Sequence, residues 1–593
     1  MARFAPSSAA DLLAALAASF LPGALAGTQL AALIFFLNPD LPFGPGPLAE
    51  AILTYGLLLG LTSTAILFPW SGGDRRRAGR VLPWSLAVVL ALVALVDFLQ
   101  ASYFAYLVPP GINVRLIKGA LWLMLAALIC FYTALLHTLQ RRAYGWRSQV
   151  GLAILVIASV YVMVERREAF RPRQEATPSL AGLEAEDRPT LLLVGLEGAT
   201  LGAVLPLAEQ GHLPFFARLL AEGAHARVAS LTPPRRLPLW TTVATGKFPY
   251  KHSLVAEVAY SWKAAGAELQ LLPAGLGFAS WGLLGAEPRP VTARQREAIP
   301  LWEILARLQI PTGMIGWPGT SPVSTRPAFA FSEGFFTSGA LPGSAQPPEL
   351  AERGLLFRPS PREAHPILEA QLGGRLPPPL VESVVADLWR RDLTRFLLDQ
   401  RSDLRALFVL LPGLGEVSAR TFGGYAAVQF DGSREPEAVA AAAVLVSYYR
   451  QLDQFLAEIW EKVPPPRLLV VVSAHGYEPA AGWRRLWLEV TGQEALAGRR
   501  EGSPDGVLIL AGDGIRPGVF LSRAELVDLV PSLLYAMGLP IARDLDGQAL
   551  TSAFDQSFLA RHPLTFVPSY EELAAVAREG RPPGTTSGQG GRR

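Results

Sequence analysis

TLLLVGLEGAT, residues 190–200, decides how the second half of the chain folds. An uncharged aliphatic run stops at a loop flanked by glycine. A strand buried on both faces reads this way, because it has no solvent side to reserve for polar residues. The pattern returns in ALFVLLPGLGE (406–416), LLVVVSAHG (468–476) and GVLILAGDG (506–514). Between the runs, apolar residues recur at spacings of three and four over 213–222, 300–308, 381–400 and 437–462, which predicts helices. Alternating strands and helices build an α/β domain, with a mostly parallel central sheet covered by helices on both faces. Functional loops in such a sheet lie at the carboxyl ends of the strands, so the loops that end these runs are the ones to inspect.

The first 165 residues obey a different rule. Apolar runs crowd there, at about 18–38, 50–70, 83–107, 117–138 and 148–164, each near the ~20 residues that cross a bilayer. They predict an N-terminal α-helical transmembrane bundle of about five helices. Pro22 and Gly23 interrupt the first run, and residues 8–20 also read as a helix lying in the membrane interface. Composition agrees. Half of the 593 residues are hydrophobic and only 17% are charged, against about 25% in an average soluble domain.

Arg75, Arg76, Arg77 and Arg80 follow the second run, and Arg141, Arg142 and Arg147 follow the fourth. Both loops fall on one side, which the positive-inside rule makes cytoplasmic. Five spans then put the rest of the chain outside the cytoplasm, although Arg166, Arg167, Arg171 and Arg173 follow the fifth run on that outer side. The expected location is a bacterial inner membrane, with an extracytoplasmic C-terminal domain. The expected organisation is a transmembrane domain over 1–165, a linker over 166–189, the α/β domain over 190–555 with cap insertions at about 255–298 and 324–400, and an extension over 556–593 with a disordered tail.

The net charge is +3, and no basic block interleaves with aromatics, which excludes nucleic acid as a partner. Cys130 is the single cysteine, so disulfides and a cysteine zinc site are excluded. The spans hold almost no acidic residue beyond Asp97, which weighs against a transporter role.

Five stretches carry a resemblance to a known family. VGLEGAT is similar to "GLDGAT". PPRRLPLWTTVATGKFPYKHSL (233–254) is similar to a nucleophile segment that runs through "WTS-x-x-TG" to "P-x-x-HG". IPLWEILARLQIPTGMIGWPGTSPV (299–323), VVVSAHGY, and GVLILAGDGIRPG with LVDLVPSLLYAMGLPIARDLDGQAL (526–550) follow in the same order. The half from about 190 to 555 resembles the type I phosphodiesterase/nucleotide pyrophosphatase branch of the alkaline phosphatase superfamily. That resemblance implies an alkaline-phosphatase-like fold, two zinc ions and a Ser or Thr nucleophile.

Carried residue by residue, the resemblance implies a degenerate site. The first metal-binding Asp becomes Glu197, and the nucleophile position holds Arg236. The second metal's Asp and His positions hold Gly415 and Ala419. "SDHG" becomes Ala474 and His475, and the last His position holds Gly502. A zinc ion needs three or four N, O or S donors. One site keeps at most Glu197 and His475, and the other keeps none. No catalytic residue, metal or other cofactor is therefore expected.

The expected function is a membrane-anchored pseudoenzyme: a binding, scaffolding or regulatory subunit of a membrane complex, with the lipid bilayer and a protein as partners. Arg235 and Arg236 precede a helix near Leu239, and with His475 they are candidates for a metal-free anion pocket. Pairing of Arg236 with Glu197, plugging the site, is the other reading of the same residues. Glu197 is also expected to cap the helix that follows it. An active phosphodiesterase or phosphotransferase on lipid- or glycan-linked phosphate, with a rearranged metal site, is the alternative function.

Overall fold

A computed structural model describes residues 8–42, 44–140, 144–164, 188–263, 265–275, 277–278, 286–324, 326–359, 378–480 and 496–571. Arg141, Arg142, most of the 166–189 linker and the tail lie outside the described residues. The chain divides into two compact units: Met1–Arg171 with Val255–Val291, and Pro172–Leu254 with Thr292–Arg593.

The first unit is built on helices Ala9–Leu37, Pro45–Ser71, Arg75–Tyr103, Pro110–Leu139 and Trp146–Val164. Four are long and apolar enough to cross a membrane, and the fifth run forms a shorter apolar helix. Its 19 residues rise about 28 Å, just under the ~30 Å hydrocarbon core. The first helix is continuous through Pro22 and Gly23, so residues 8–20 are not a separate interfacial helix. The glycines serve close packing instead. A Cβ on Gly23 would stand 2.0 Å from the Leu59 carbonyl oxygen, and one on Gly27 would stand 2.2 Å from that of Tyr55.

Residues Val255–Val291, read above as part of a cap insertion, belong to this unit. They form a small antiparallel sheet of Ala267–Leu269, Val258–Trp262 and Glu287–Pro290. Two amides hold the segment. Asn38 Nδ2 donates to the Leu271 carbonyl at 2.7 Å, and its Oδ1 accepts from the N–H groups of Gln270 and Leu271 at 2.9 Å. Gln100 donates to the Ala274 carbonyl and accepts from its N–H, both at 2.8 Å. Trp262 packs on Phe35, and Phe278 on Tyr55.

The second unit carries a nine-stranded sheet. Its order is Val519–Glu525, Ala224–Ala229, Gly506–Gly512, Arg467–Val472, Thr190–Leu196, Ala406–Leu411, Thr312–Trp317, Phe329–Ser332 and Ala345–Gln346. Alternate residues of the central strand face opposite layers, as a pleated strand requires. Leu192, Val194 and Leu196 enter one apolar cluster with residues of helices Leu201–Glu209, Gly413–Gln429 and Pro436–Lys462. Leu191 and Leu193 enter the other, with helices Arg236–Thr245, Leu301–Arg307 and Leu529–Ala536.

One run differs from the parallel reading. Gly506–Gly512 pairs antiparallel with both of its neighbours. The loop that reaches the functional edge is therefore the one before this strand, near 500–505, and not the GDG that ends it. Burial on both faces gives a strand the same composition in either direction, so the sequence is silent on this point.

Candidate functional site

Glu197 follows the central strand and is 5% exposed. It does not cap the next helix. Thr200 does so, accepting from the Gly202 N–H at 3.3 Å. The Glu197 carboxylate instead faces Arg236, the first residue of helix Arg236–Thr245, with Arg235 at the N-cap. Arg236 Nε donates to Glu197 Oε2 at 2.6 Å, and Nη1 donates to Glu333 Oε1. Arg500 Nη1 lies 3.7 Å from Glu197 Oε1, and His475 Nε2 lies 3.9 Å from the same oxygen.

These residues converge because the strands deliver them to one edge. Glu333 directly follows Phe329–Ser332, and His475 lies three residues beyond Arg467–Val472. Gly415 lies in the first turn of the helix Gly413–Gln429, after Ala406–Leu411, and against Glu197: a Cβ there would stand 3.0 Å from Glu197 Cγ. The missing side chain makes room for the longer carboxylate. Gly198 has φ +81°, and a Cβ on it would stand 2.6 Å from the Tyr477 ring.

Other positions have gone apolar or turn elsewhere. Ala474 is fully buried in the apolar cluster that also holds Val472, Leu508 and Trp240. Ala419 packs, half-buried, against the cluster on the opposite face. Gly502 lies beside Glu478, whose Oε1 would be 2.6 Å from a Cβ there. His475 is fully buried; its Nδ1 lies 3.0 Å from the Gly476 carbonyl, and its Nε2 makes no hydrogen bond. Thr232, the hydroxyl nearest upstream of Arg236, donates to Ser503 Oγ at 3.0 Å.

Electrostatics tie the group together. Burial would raise the Glu197 carboxyl, but the charge and hydrogen bond of Arg236, with His475 close by, overcome it and hold the pKa down at about 2. Burial would lower the Arg236 guanidinium, and the charges of Glu197 and Glu333 raise it instead. A second buried ion pair belongs to the same field. Arg390 Nη1 lies 3.5 Å from Asp387 Oδ1, and Arg390 also feels Glu333 and Arg236. Asp387 Oδ2 accepts from the Gly413 N–H at 2.8 Å and from Tyr448 at 2.6 Å.

The sequence model of the type I phosphodiesterase/nucleotide pyrophosphatase family matches residues 191–490, half of the chain. The chain belongs to this family. No curated protein matches it. Among solved structures, human ectonucleotide pyrophosphatase/phosphodiesterase 5 is 10% identical, covering 62% of this chain and 100% of its own, with a TM-score of 0.37. The murine protein of the same name is 11% identical at the same coverage and TM-score. The phosphonate monoester hydrolase of Silicibacter pomeroyi is 15% identical, covering 61% of this chain and 76% of its own, with a TM-score of 0.35.

Family membership brings the question of two metal ions to this geometry. Among the described residues, no group of three or more His, Cys, Asp or Glu side chains is placed to hold a metal. The Glu197 carboxylate is already engaged by a guanidinium. These residues do not fit a pair of dications.

Glu333 and Arg500 were not singled out in the sequence. Glu333 had a signal: FAFSEG is itself an apolar run ending in a polar, glycine-containing turn. Arg500 had none, because the loop that carries it precedes its strand.

Proposed function

We propose that this family member is a membrane-anchored pseudoenzyme, acting as a binding, scaffolding or regulatory subunit of a membrane complex. The observation that carries the reading is the Arg236–Glu197 contact at 2.6 Å, extended by Glu333. A fixed positive charge stands at the position that family resemblance assigns to the nucleophile, and it consumes the carboxylate assigned to the first metal. Among the described residues, neither a hydroxyl at the nucleophile position nor a free ligand set remains for family chemistry, which needs metal-stabilised attacking and leaving oxygens.

The pairing also bears on the anion pocket around Arg235, Arg236 and His475. Two carboxylates face the Arg236 guanidinium, so an added anion must compete with both. The plugged site is the reading this geometry favours. An inner-membrane location with the α/β unit outside the cytoplasm belongs to the same proposal and rests on the arginine-rich loops.

Purified full-length protein in detergent tests it. The expected result is no stoichiometric zinc or manganese, no turnover of bis-p-nitrophenyl phosphate, and co-purification of a defined membrane protein. Metal-dependent turnover that Glu197→Gln abolishes would sink the reading and establish the hydrolase alternative.

A further inference from the structure

We propose that the stretch Leu559–Phe566, with Arg543, is a membrane contact of the α/β unit itself: a fixed surface that docks on anionic lipid headgroups. It rests on the anchoring helices and not on the loss of family chemistry.

Leu559, Leu564 and Phe566 are 36%, 44% and 52% exposed. The backbone that carries them is packed. Strand Phe566–Val567 pairs in parallel with Ile541–Ala542. The Thr565 carbonyl accepts from the Ile541 N–H at 2.8 Å, and the Val567 carbonyl accepts from the Arg543 N–H at 2.9 Å. Tyr535 donates to the His562 carbonyl at 2.8 Å. Phe558, Val567 and Tyr570 turn inward and are buried in the apolar cluster on this side of the sheet. Their neighbours are thereby held facing outward.

Charge selects the occupant. The Arg543 guanidinium lies 5.7 Å from the centroid of the Phe566 ring, and Arg561 ends helix Gln556–Arg561. Both arginines are exposed, and neither forms an ion pair among the described residues. No carboxylate occurs from 556 to 570. Asp555, whose charge Arg561 feels, accepts from the Ser557 hydroxyl and the Phe558 N–H. Glu571 turns away and accepts from Lys247 Nζ and the Ile299 N–H, both at 3.0 Å. Apolar side chains beside unpaired arginines fit the boundary between headgroups and acyl chains. There the apolar groups enter the hydrocarbon edge, and the guanidiniums meet phosphate oxygens.

The place of the stretch on the unit agrees. Arg188, two residues before the central strand, is close enough to Tyr570 that each shifts the other's titration. Lys247, which Glu571 holds, lies just past the end of helix Arg236–Thr245 that is remote from Arg236. The stretch therefore borders the end of the unit where the chain from the apolar helices enters, away from the Arg236–Glu197 edge. A tether that arrives at this end raises the local concentration of bilayer there.

Full-length protein provides the test, in nanodiscs of phosphatidylcholine alone or mixed with phosphatidylglycerol. Cys130→Ala removes the native thiol, and Leu564→Cys accepts an environment-sensitive fluorophore. Lipids carrying a doxyl quencher report contact with the bilayer. The probe at 564 is expected to be quenched in the mixed discs. A probe at Leu341→Cys, 56% exposed near the carboxyl end of strand Phe329–Ser332, is expected to stay bright. Arg543→Glu with Arg561→Glu is expected to lower the docked-to-free ratio by at least about tenfold. High salt, which alters no residue, is expected to release the probe of the otherwise unaltered protein. Absence of quenching at 564 overturns the proposal, as does equal quenching at 341. So does quenching that ignores salt, or that is as strong in phosphatidylcholine alone. A blue-shifted probe that doxyl lipid does not quench means that protein covers the surface, and it overturns the proposal too.

Discussion

Arg236 Nε and Glu197 Oε2 meet at 2.6 Å although 39 residues separate them in sequence. The pair is largely buried, with side chains 21% and 6% exposed. Removing one member strands the other. Arg236→Met is therefore expected to cost about 3–5 kcal/mol, read as the denaturation midpoint of the α/β unit in the full-length protein. Adding Glu197→Gln to Arg236→Met is expected to recover most of that loss. Equal stability of the wild type and Arg236→Met would show that the contact does not form.

The same pair fixes an acid dependence. Glu197 is held at about 2, below its ordinary value of 4.5. A depressed carboxyl contributes stability that is complete above its unfolded pKa and disappears as pH falls through the folded one. The window is thus about pH 4.5 down to 2, and the contribution is on the order of 3 kcal/mol. Denaturation midpoints of wild type and Glu197→Gln are expected to converge across this window and to run parallel above it.

Ala474, which the family resemblance sets at the aspartate of "SDHG", is fully buried in an apolar layer. Ala474→Asp alone is expected to destabilise the unit by at least about 3 kcal/mol, because it buries a charge without a partner. It is expected to recruit no zinc, since Arg236 still holds Glu197. Thermal denaturation and elemental analysis of the purified variant check both parts.

In the helical unit, Asn38→Ala removes one donated and two accepted hydrogen bonds to residues 270–271. A loss of about 1–3 kcal/mol is expected, read as faster amide exchange over 269–272 with helix Ala9–Leu37 unaffected.

Much of this was legible in the sequence, for identifiable reasons. The central strands Thr190–Leu196, Ala406–Leu411 and Arg467–Val472 announce themselves because burial on both faces leaves no polar residue to disguise them. Ala224–Ala229 was missed because half of its residues face outward and its composition is mixed. At the site, Glu197, Arg236, Gly415 and His475 are the positions that the family resemblance implies, and the fold brings them together. Asp387 and Arg390 were not found. In sequence they sit on helix Pro378–Gln400 like surface charges, and only the tertiary fold encloses them. Asn38 and Gln100 were equally hidden, since each binds backbone atoms far along the chain, which leave no mark on composition.

The glycine at 415 carries a last implication, about coupling. A Cβ at residue 415 would stand 3.0 Å from Glu197 Cγ, so any side chain there makes Glu197 give way. A carboxylate restored at 415 would collide with Glu197, and a shorter acid at 197 would leave Arg236 reaching for a partner. A change at either position alone therefore disturbs the Arg236–Glu197 pair, and the two positions are locked to one another.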